Sequence, residues 1–403
     1  MRFSFHKEPI TPEWPMHMAG YRSRIIPFTG VYDELYAMAL MLDDGKKKVL
    51  IISIDVCMID KSFALKIKKL IKEKYGLDGN SVLIHAIHTH AGPVTFAWNA
   101  DRVSDYDDII RYRKLLEERI MICVDKCMAS SKEGSMEIST GETYIGMSRR
   151  QKKPDGIVIG PNPEEEIDRL AYGITIKNAH GDVEIILFSC PCHPVVLYPR
   201  NTKISADYPG AARSELEKKI PGASAMFLQS SCADINPAIL VADDEYRDTF
   251  YSDVLFTGRI LANDIYNILQ KGMKKIDLFI ETYAGKIVLP LDGKPLREFR
   301  PEDEEIVQGE IQVSMVKLSD DFRIIGIDGE ICNQIGVHIR ELFSKGYTMV
   351  LGYVNGYVGY IPTAKILEEG GYEARSTRFI QKYARNVEEV LLENLKELII
   401  KIS

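Results

Sequence analysis

The chain has 403 residues, of which 45% are hydrophobic and 27% charged, and its formal net charge is −7. This composition predicts a globular protein with a sizeable core, and the acidic balance argues against a broad basic surface for nucleic acid or anionic lipid. The N-terminus shows no apolar signal segment and no stretch approaches the ~18 apolar residues of a membrane span, so we expect a cytoplasmic protein without membrane insertion.

Short apolar strands alternate with longer amphipathic helices along the chain, which predicts an α/β fold. The predicted strands are 36–42, 49–56, 82–88, 136–139, 170–176, 183–189, 225–228, 276–290, 311–318, 322–327 and 348–354. The predicted helices are 61–75, 106–131, 209–219, 246–271, 331–345, 363–369 and 376–400. The Pro- and Gly-rich segment 151–168 is predicted to be a surface loop. No repeat or linker divides the series, so we expect one domain over residues 1–403.

The cysteines are odd in number and lie mostly in apolar runs, which predicts buried reduced thiols rather than a disulfide framework. They are Cys57, Cys123, Cys127, Cys190, Cys192, Cys232 and Cys332. The C-x-C pair at 190 and 192 could bind a metal, but its spacing fits a C-x2-C knuckle poorly, and a structural role is favoured.

The apolar run at 81–93, SVLIHAIHTHAGP, carries three histidines to the end of a predicted strand. Because side chains alternate along a strand, His88 and His90 are expected on one side, where two imidazoles suit a transition metal, while His85 lies further back. The alternative is that these histidines are hydrogen-bonded core or loop residues. The motif alone does not decide between the two.

A second apolar run at 183–198, VEIILFSCPCHPVVLY, brings His193 to its own strand end. Sites in α/β proteins gather at strand ends, so two histidine-bearing ends favour a shared metal site more than either motif alone.

Two C-terminal segments add oxygen ligands. Glu330 lies at a strand-to-helix corner in IIGIDGEICNQIGVHIR. Its carboxylate could complete a metal site, or it could be a first-turn glutamate that the helix dipole stabilises. Segment 351–377 places Tyr353, Tyr357, Tyr360 and Tyr372 among glycines. These tyrosines could approach a ligand, or they could be half-buried residues of a turn-rich edge.

The ordered set HTHAGP, CHPVV with SADYPG, QSSCADINP, GIDGE, and GYIPT with GGYEARST resembles the catalytic domain of the neutral/alkaline ceramidase family. The resemblance covers residues 18–377 and implies mixed β-sheets flanked by helices and a zinc amidase. It assigns the zinc ligands to His88, His193, Glu330 and Tyr360, and so replaces the expectation from strand alternation that His90 is a ligand.

By the same resemblance, His90 is a catalytic residue that faces the substrate, and Tyr372 polarises the scissile carbonyl. Weaker matches implicate Arg149, in GMSRR, and Asp207, in SADYPG.

The chain departs from the family pattern at its nucleophile. Where the family carries a serine in GD(V/L)SPN, this sequence reads Ala-Asp-Ile-Asn-Pro with Asn236 at the serine position. In addition, HTHSGPGG has become HTHAGPVT, and the sequence ends at Ser403, before the immunoglobulin-like domain of the family. An asparagine cannot form the alkoxide that a serine could, so we expect that ceramide itself is not the substrate.

The chemistry left by these departures is metal-assisted hydrolysis by water. Zinc lowers the pKa of a bound water to about 7. His90 or Asp207 would take the proton of this water, the metal and Tyr372 would stabilise the oxyanion, and Asn236 would donate a hydrogen bond or orient the water. The hypothesis is a hydrolase that cleaves an amide, ester or lactone bond in a small polar molecule.

Two alternatives belong to other classes. The site could run a lyase or isomerase reaction on a sugar-like substrate, or the protein could be a non-catalytic binding protein that kept the pocket. The substrate, the choice of zinc over manganese or iron, and the oligomeric state are left open by the sequence. The long C-terminal helix could cap the domain or pack against a second subunit, with core packing favoured.

Overall fold

The computed structural model describes residues 1–96, 106–242, 244–296, 308–379 and 381–400. In these residues the helices are α1 Lys61–Tyr75, α2 Tyr106–Ala129, α3 Asp207–Lys219, α4 Tyr251–Leu269, α5 Asn333–Glu341, α6 Ala364–Glu369 and α7 Val387–Ile400.

The strands of the N-terminal half are β1 Arg2–Pro9, β2 Gly30–Val31, β3 Tyr36–Asp43, β4 Lys48–Ile54, β5 Val82–Ala86, β6 Lys132–Glu142, β7 Gly146–Lys153, β8 Gly156–Asn162, β9 Leu170–Asn178 and β10 Val183–Cys190. Those that follow are β11 Lys203–Ile204, β12 Ser224–Gln229, β13 Ile235–Pro237, β14 Val241–Ala242, β15 Glu245–Tyr246, β16 Lys274–Ile276 and β17 Glu281–Val288. The last are β18 Leu291–Pro295, β19 Glu310–Ser319, β20 Phe322–Ile327, β21 Glu330–Ile331, β22 Tyr347–Leu351, β23 Tyr360–Ile361 and β24 Gln381–Tyr383.

A large mixed sheet is the centre of the fold. Its nine strands run in the order β12-β10-β9-β6-β1-β3-β4-β5, with β16 paired to β6. The pairs β10–β12 and β4–β5 are parallel, and the other pairs are antiparallel. The two histidine-bearing strands, β5 and β10, therefore lie in one sheet.

A second sheet, in the order β17-β19-β20-β22, packs on one face of the large sheet. Residues Met38, Leu40 and Leu42 of β3 join Phe322 and Ile324 of β20 in one buried cluster. The strands are apolar on both faces, because each sheet is covered on both sides.

Helices cover the two outer faces of this pair of sheets. Alternate residues of β3, such as Ala39 and Met41, contribute to a cluster that also holds Phe63 of α1 and Leu116 of α2. On the other side, Ile325 and Ile327 of β20 share a cluster with Ile335 of α5 and Leu391 of α7. The result is a layered helix, sheet, sheet, helix architecture that confirms the predicted α/β class with mixed sheets flanked by helices. The packing of α7 also agrees with the favoured use of the C-terminal helix in the core.

Several local predictions were wrong. The helix predicted at 246–271 begins at Tyr251, and the strand predicted at 276–290 is two strands, β16 and β17. Residues 151–168 are not one loop, because β7 and β8 form an antiparallel hairpin there. Strand β1 was not predicted. It pairs with β3 along its whole length, with Arg2 opposite Asp43 and Pro9 opposite Tyr36. The last helix begins at Val387 rather than at 376, after the short strand β24. Strands β1 and β7 carry many charged side chains, so apolar periodicity did not reveal them.

The cysteines behave as predicted, since all seven are free and buried. None of the helices in the described part of the chain is long and apolar enough to traverse a lipid bilayer.

Candidate metal centre and active site

The candidate site lies where three strand ends meet. His88 comes two residues after β5, His193 three residues after β10, and Glu330 opens β21 just after β20. The backbone turns sharply at His88, whose φ of 68° is in the left-handed region, and its N–H donates to the carbonyl of Val56 at 3.0 Å. This turn, rather than strand alternation, aims the His88 ring.

The two imidazoles are oriented by backbone carbonyls. His88 Nδ1 lies 2.7 Å from the carbonyl oxygen of Cys57, and His193 Nδ1 lies 2.6 Å from that of Cys232. A carbonyl can only accept, so each Nδ1 carries a proton and each ring turns its Nε2 towards the site. Sequence reasoning missed both carbonyls, because a backbone group leaves no side-chain signal.

The Glu330 carboxylate completes the cluster. Its Oε2 lies 3.4 Å from His88 Nε2 and 3.3 Å from His193 Nε2, and all three side chains are buried. Burial disfavours a charged carboxylate, but His88 and His193 outweigh that penalty and hold the pKa of Glu330 well below its usual range.

Two tyrosines that the sequence analysis noted without a role hold this carboxylate. Tyr357 donates its hydroxyl to Glu330 Oε1, and Tyr353 donates to Oε2 at 3.3 Å. The Tyr353 ring also stacks on the His88 ring with a centroid distance of 4.0 Å. The glycine-rich segment therefore supplies outer groups that orient the predicted ligands.

His90 stands at the edge of the same cluster. Its Nε2 is 3.2 Å from His88 Nε2, and its ring centroid is 5.8 Å from that of His193. Burial and the two neighbouring imidazoles lower the pKa of His90 well below its usual range. Its predicted role as a substrate-facing residue stays a prediction.

A buried arginine connects three further predicted residues. Arg149 donates from Nη2 to the hydroxyl of Tyr360 at 2.9 Å and from Nη1 to Asn236 Oδ1 at 3.4 Å. Pairing of β13 with β7 brings Asn236 to this arginine. Tyr372, which is 45% exposed, packs its ring edge-on to that of Tyr360 at 5.4 Å. Tyr360 and Glu330 are paired across β23 and β21, and the ligand role of Tyr360 stays a prediction.

Sequence reasoning also missed the counter-ion of Arg149. Glu373 accepts from Arg149 Nε at 2.9 Å through Oε1 and from Arg150 Nη1 at 2.7 Å through Oε2. Its only signal in the sequence is its position directly after Tyr372.

Asp207 lies under the loop that follows His193. Its carboxylate accepts from the backbone N–H groups of Val196, Leu197 and Tyr208 at 3.2, 2.9 and 2.7 Å. Burial raises the pKa of Asp207 to about 6. These bonds indicate that it holds the loop, and its catalytic role stays a prediction.

The residues present fit a zinc ion. One ligand atom each from His88, His193 and Glu330 lies within 4.8 Å of the others, and Cys57, His88 and His90 form a second such group. Two imidazole nitrogens and a carboxylate, with the far imidazole nitrogens bonded to carbonyls, are a donor set typical of catalytic zinc sites.

The sequence is similar to those of known ceramidases. The family model described as neutral/alkaline non-lysosomal ceramidase, N-terminal, matches residues 9–250. The neutral ceramidase of Pseudomonas aeruginosa is 25% identical over 250 residues, which is 59% of this chain and 37% of that protein. The neutral ceramidase of Oryza sativa subsp. japonica is 32% identical over 85 residues, which is 20% of this chain and 11% of that protein. These matches span well under half of the relatives' own length.

Two solved structures share the fold. A ceramidase complexed with C2 superposes with a TM-score of 0.84 at 18% identity, covering 100% of this chain and 75% of that one. The neutral ceramidase of Pseudomonas aeruginosa gives a TM-score of 0.83 at 18% identity, covering 100% of this chain and 74% of that one.

Proposed function

The chain belongs to the neutral/alkaline non-lysosomal ceramidase family, and from that premise we propose that it is a zinc-dependent hydrolase. It would cleave an amide bond, or a related ester or lactone bond, in a small polar substrate, with water as the nucleophile. The observation that carries the proposal is the convergence of His88 Nε2, His193 Nε2 and Glu330 Oε2.

His88, His193 and Glu330 would hold the zinc ion, with Tyr360 as the fourth ligand. When bound, zinc polarises a carbonyl oxygen and lowers the pKa of water to about 7. His90 Nε2 would accept the proton of the attacking water and pass it to the leaving nitrogen or oxygen.

The position of Asn236 supports water as the nucleophile. Its Oδ1 accepts from Arg149, and its Nδ2 donates to the hydroxyl of Tyr246 at 3.3 Å. A carboxamide held in this way is not a nucleophile, but Nδ2 keeps a second N–H that can be donated to the developing oxyanion. The exposed Tyr372 would bind the substrate carbonyl at the rim.

The first test is zinc content by elemental analysis of wild type, His88→Ala and His193→Ala. His180→Ala is the matched control, because His180 is exposed in the turn at the opposite end of β10. We expect near-stoichiometric zinc in wild type and in the control, and its loss from both site variants while their circular dichroism stays unchanged. Metal-free wild type, or site variants that keep their zinc, would overturn the zinc assignment.

The second test is hydrolysis by the zinc-loaded protein of a panel of N-acyl amino acids, N-acyl amines, esters, lactones and a short-chain ceramide. Turnover of a small amide supports the proposal. Turnover of ceramide alone would overturn the choice of a small polar substrate, and no turnover of any compound would overturn the hydrolase. The nucleophile is tested separately, since hydroxylamine should trap no acyl-enzyme.

A further inference from the structure

We propose that the substrate of this site carries an anionic group, a carboxylate or a phosphate, which is bound by Arg24 and Tyr21 beside His90. This inference rests on the proposed function, because it names the substrate class of the same site. Nothing in the sequence analysis assigned a role to Arg24 or Tyr21.

Arg24 is a buried cation without an acidic partner among the residues that the structure describes. It is 8% exposed, and its Nη1 donates to the carbonyls of Ala19 at 3.1 Å and His90 at 2.8 Å. Its Nε and Nη2 are buried and have no hydrogen-bond partner within the described residues. Burial lowers the pKa of Arg24 to about 10.

The other buried arginines are satisfied differently. Arg149 and Arg150 share the Glu373 carboxylate, and Arg213 pairs with Asp55. Arg323 donates to two backbone carbonyls and to a threonine hydroxyl. Because an unpaired buried charge is costly, Arg24 calls for a partner that the described protein groups do not supply.

Arg24 lies next to the candidate metal centre. Its guanidinium carbon stands 5.0 Å from the centroid of the Tyr21 ring, and the Tyr21 ring packs edge-on to the His90 ring at 5.0 Å. We call these three residues the His90–Tyr21–Arg24 stack. One end of the stack reaches His88, so a group bound along it would lie beside the predicted metal ligands.

Further unpartnered polar atoms lie in the same stack. Within the described parts of the chain, the Tyr21 hydroxyl and His90 Nδ1 are both buried without a partner, as are the two Arg24 nitrogens. Such groups are rare in folded proteins, and here they belong to three side chains in contact. All of them can donate a hydrogen bond, which favours an acceptor-rich ligand over a cation.

The backbone is shaped to hold this stack. Gly20 has a φ of 94°, and a Cβ built at Gly20 would lie 2.3 Å from His90 Cγ and 2.6 Å from His90 Nδ1. Only glycine lets the backbone approach the ring so closely in that conformation. The N–H of Arg24 closes the following turn on the carbonyl of Tyr21 at 3.2 Å.

An anion is the ligand that these donors match. The planar guanidinium binds carboxylate and phosphate through two parallel hydrogen bonds, and an adjacent phenol adds a third. The unpartnered atoms are buried, so binding of the anion requires the half-buried Tyr21 side chain to move outward.

The test compares matched substrates on the zinc-loaded protein. N-acetylglycine is paired with neutral N-acetylglycinamide, and N-acetyl-phosphoethanolamine with neutral N-acetylethanolamine, so that the two pairs separate carboxylate from phosphate. We expect wild type to favour the anionic member of one pair by on the order of 10- to 100-fold in kcat/KM, as for a hydrogen bond to a charged group. Arg24→Gln should bring that ratio towards one, and Arg24→Lys should restore part of it.

Calorimetric titration of the same proteins with the same four compounds measures binding without turnover. Tighter binding of an anion to wild type than to Arg24→Gln supports the anion site even if no compound is hydrolysed, in which case only the hydrolase proposal fails. Equal binding of anionic and neutral members, or a ratio that Arg24→Gln leaves intact, overturns the inference while leaving the hydrolase standing. If Arg24→Gln does not fold, Tyr21→Phe carries the comparison, because it removes the phenol hydrogen bond to the anion, and an unchanged ratio in that variant overturns the inference.

Discussion

Glu373→Gln should destabilise the protein strongly, because Glu373 neutralises two buried arginines. Its side chain is 1% exposed and lies 2.9 Å from Arg149 Nε and 2.7 Å from Arg150 Nη1. Although burial opposes ionisation, Arg149 holds the pKa of Glu373 below its usual value. Glutamine keeps the shape but not the charge, and its amide nitrogen would face one of the guanidinium groups.

The magnitude follows from the partners that remain. Arg150 keeps Glu369 at 3.1 Å, whereas Glu373 is the only carboxylate within ion-pair distance of Arg149 among the described residues. Removing one partner of a buried ion pair costs about 3–5 kcal/mol. For a chain of 403 residues, an unfolding entropy of about 2 cal/mol/K per residue converts this into a fall in Tm of about 4–6 °C.

The assay is urea and thermal unfolding followed by circular dichroism, with Glu369→Gln as the matched control. Glu369 is 29% exposed and also pairs with Arg150, so its loss should cost at most about 1 kcal/mol. An ion pair buried as Glu373 is requires Glu373→Gln to lose clearly more stability than Glu369→Gln. If the free energies of unfolding of the two variants agree within about 1 kcal/mol, Glu373 is not the essential counter-ion of Arg149.

Three other predictions follow from the site and its supports. Tyr357→Phe removes the hydroxyl that donates to the Glu330 carboxylate, a predicted metal ligand. Zinc affinity, measured by chelator competition, should fall by about 10- to 100-fold while the fold is kept. Unchanged affinity would contradict the orienting role of Tyr357. Gly20→Ala should cost more stability in urea than Gly45→Ala, because both glycines have φ near 90° but only Gly20 abuts a ring, that of His90; equal losses would show that the contact is unimportant. Burial raises the pKa of Asp328 from 3.8 to about 7, so its contribution to stability is complete below about pH 4 and is lost as pH rises through 7. Relative to Asp328→Asn, wild type should lose about 3 kcal/mol between pH 5 and pH 8, and a pH-independent difference would refute the shift.

The predicted metal ligands could be picked out from the sequence because each of them lies where an apolar run ends. His88, His193 and Glu330 follow buried strands, and strands that end in one fold bring such residues together. The orientation of the His88 ring could not be predicted from the sequence. It depends on the left-handed backbone of His88 itself, two residues after β5, whereas the expectation assumed that strand alternation continued through it.

The supporting groups were hidden for a different reason. The carbonyls of Cys57 and Cys232 orient the imidazoles, and any residue could supply a carbonyl. Residues 151–168, which include the end of β7 and all of β8, were taken for a loop, and the charged side chains of β7 mask the strand that carries Arg149. Polar strands in a small sheet lack the apolar alternation on which such predictions rest.

The α/β class, the buried free cysteines and the kinds of side chain at the strand ends could be predicted from the sequence, because these depend on local apolar periodicity and residue chemistry. Which of these groups come into contact depends on the tertiary structure. It joins Glu330 to Tyr353 and Tyr357, and it leaves Arg24 buried without a carboxylate from any described residue. Contacts of this kind are set by pairing and packing between segments far apart in the chain, which no local pattern encodes.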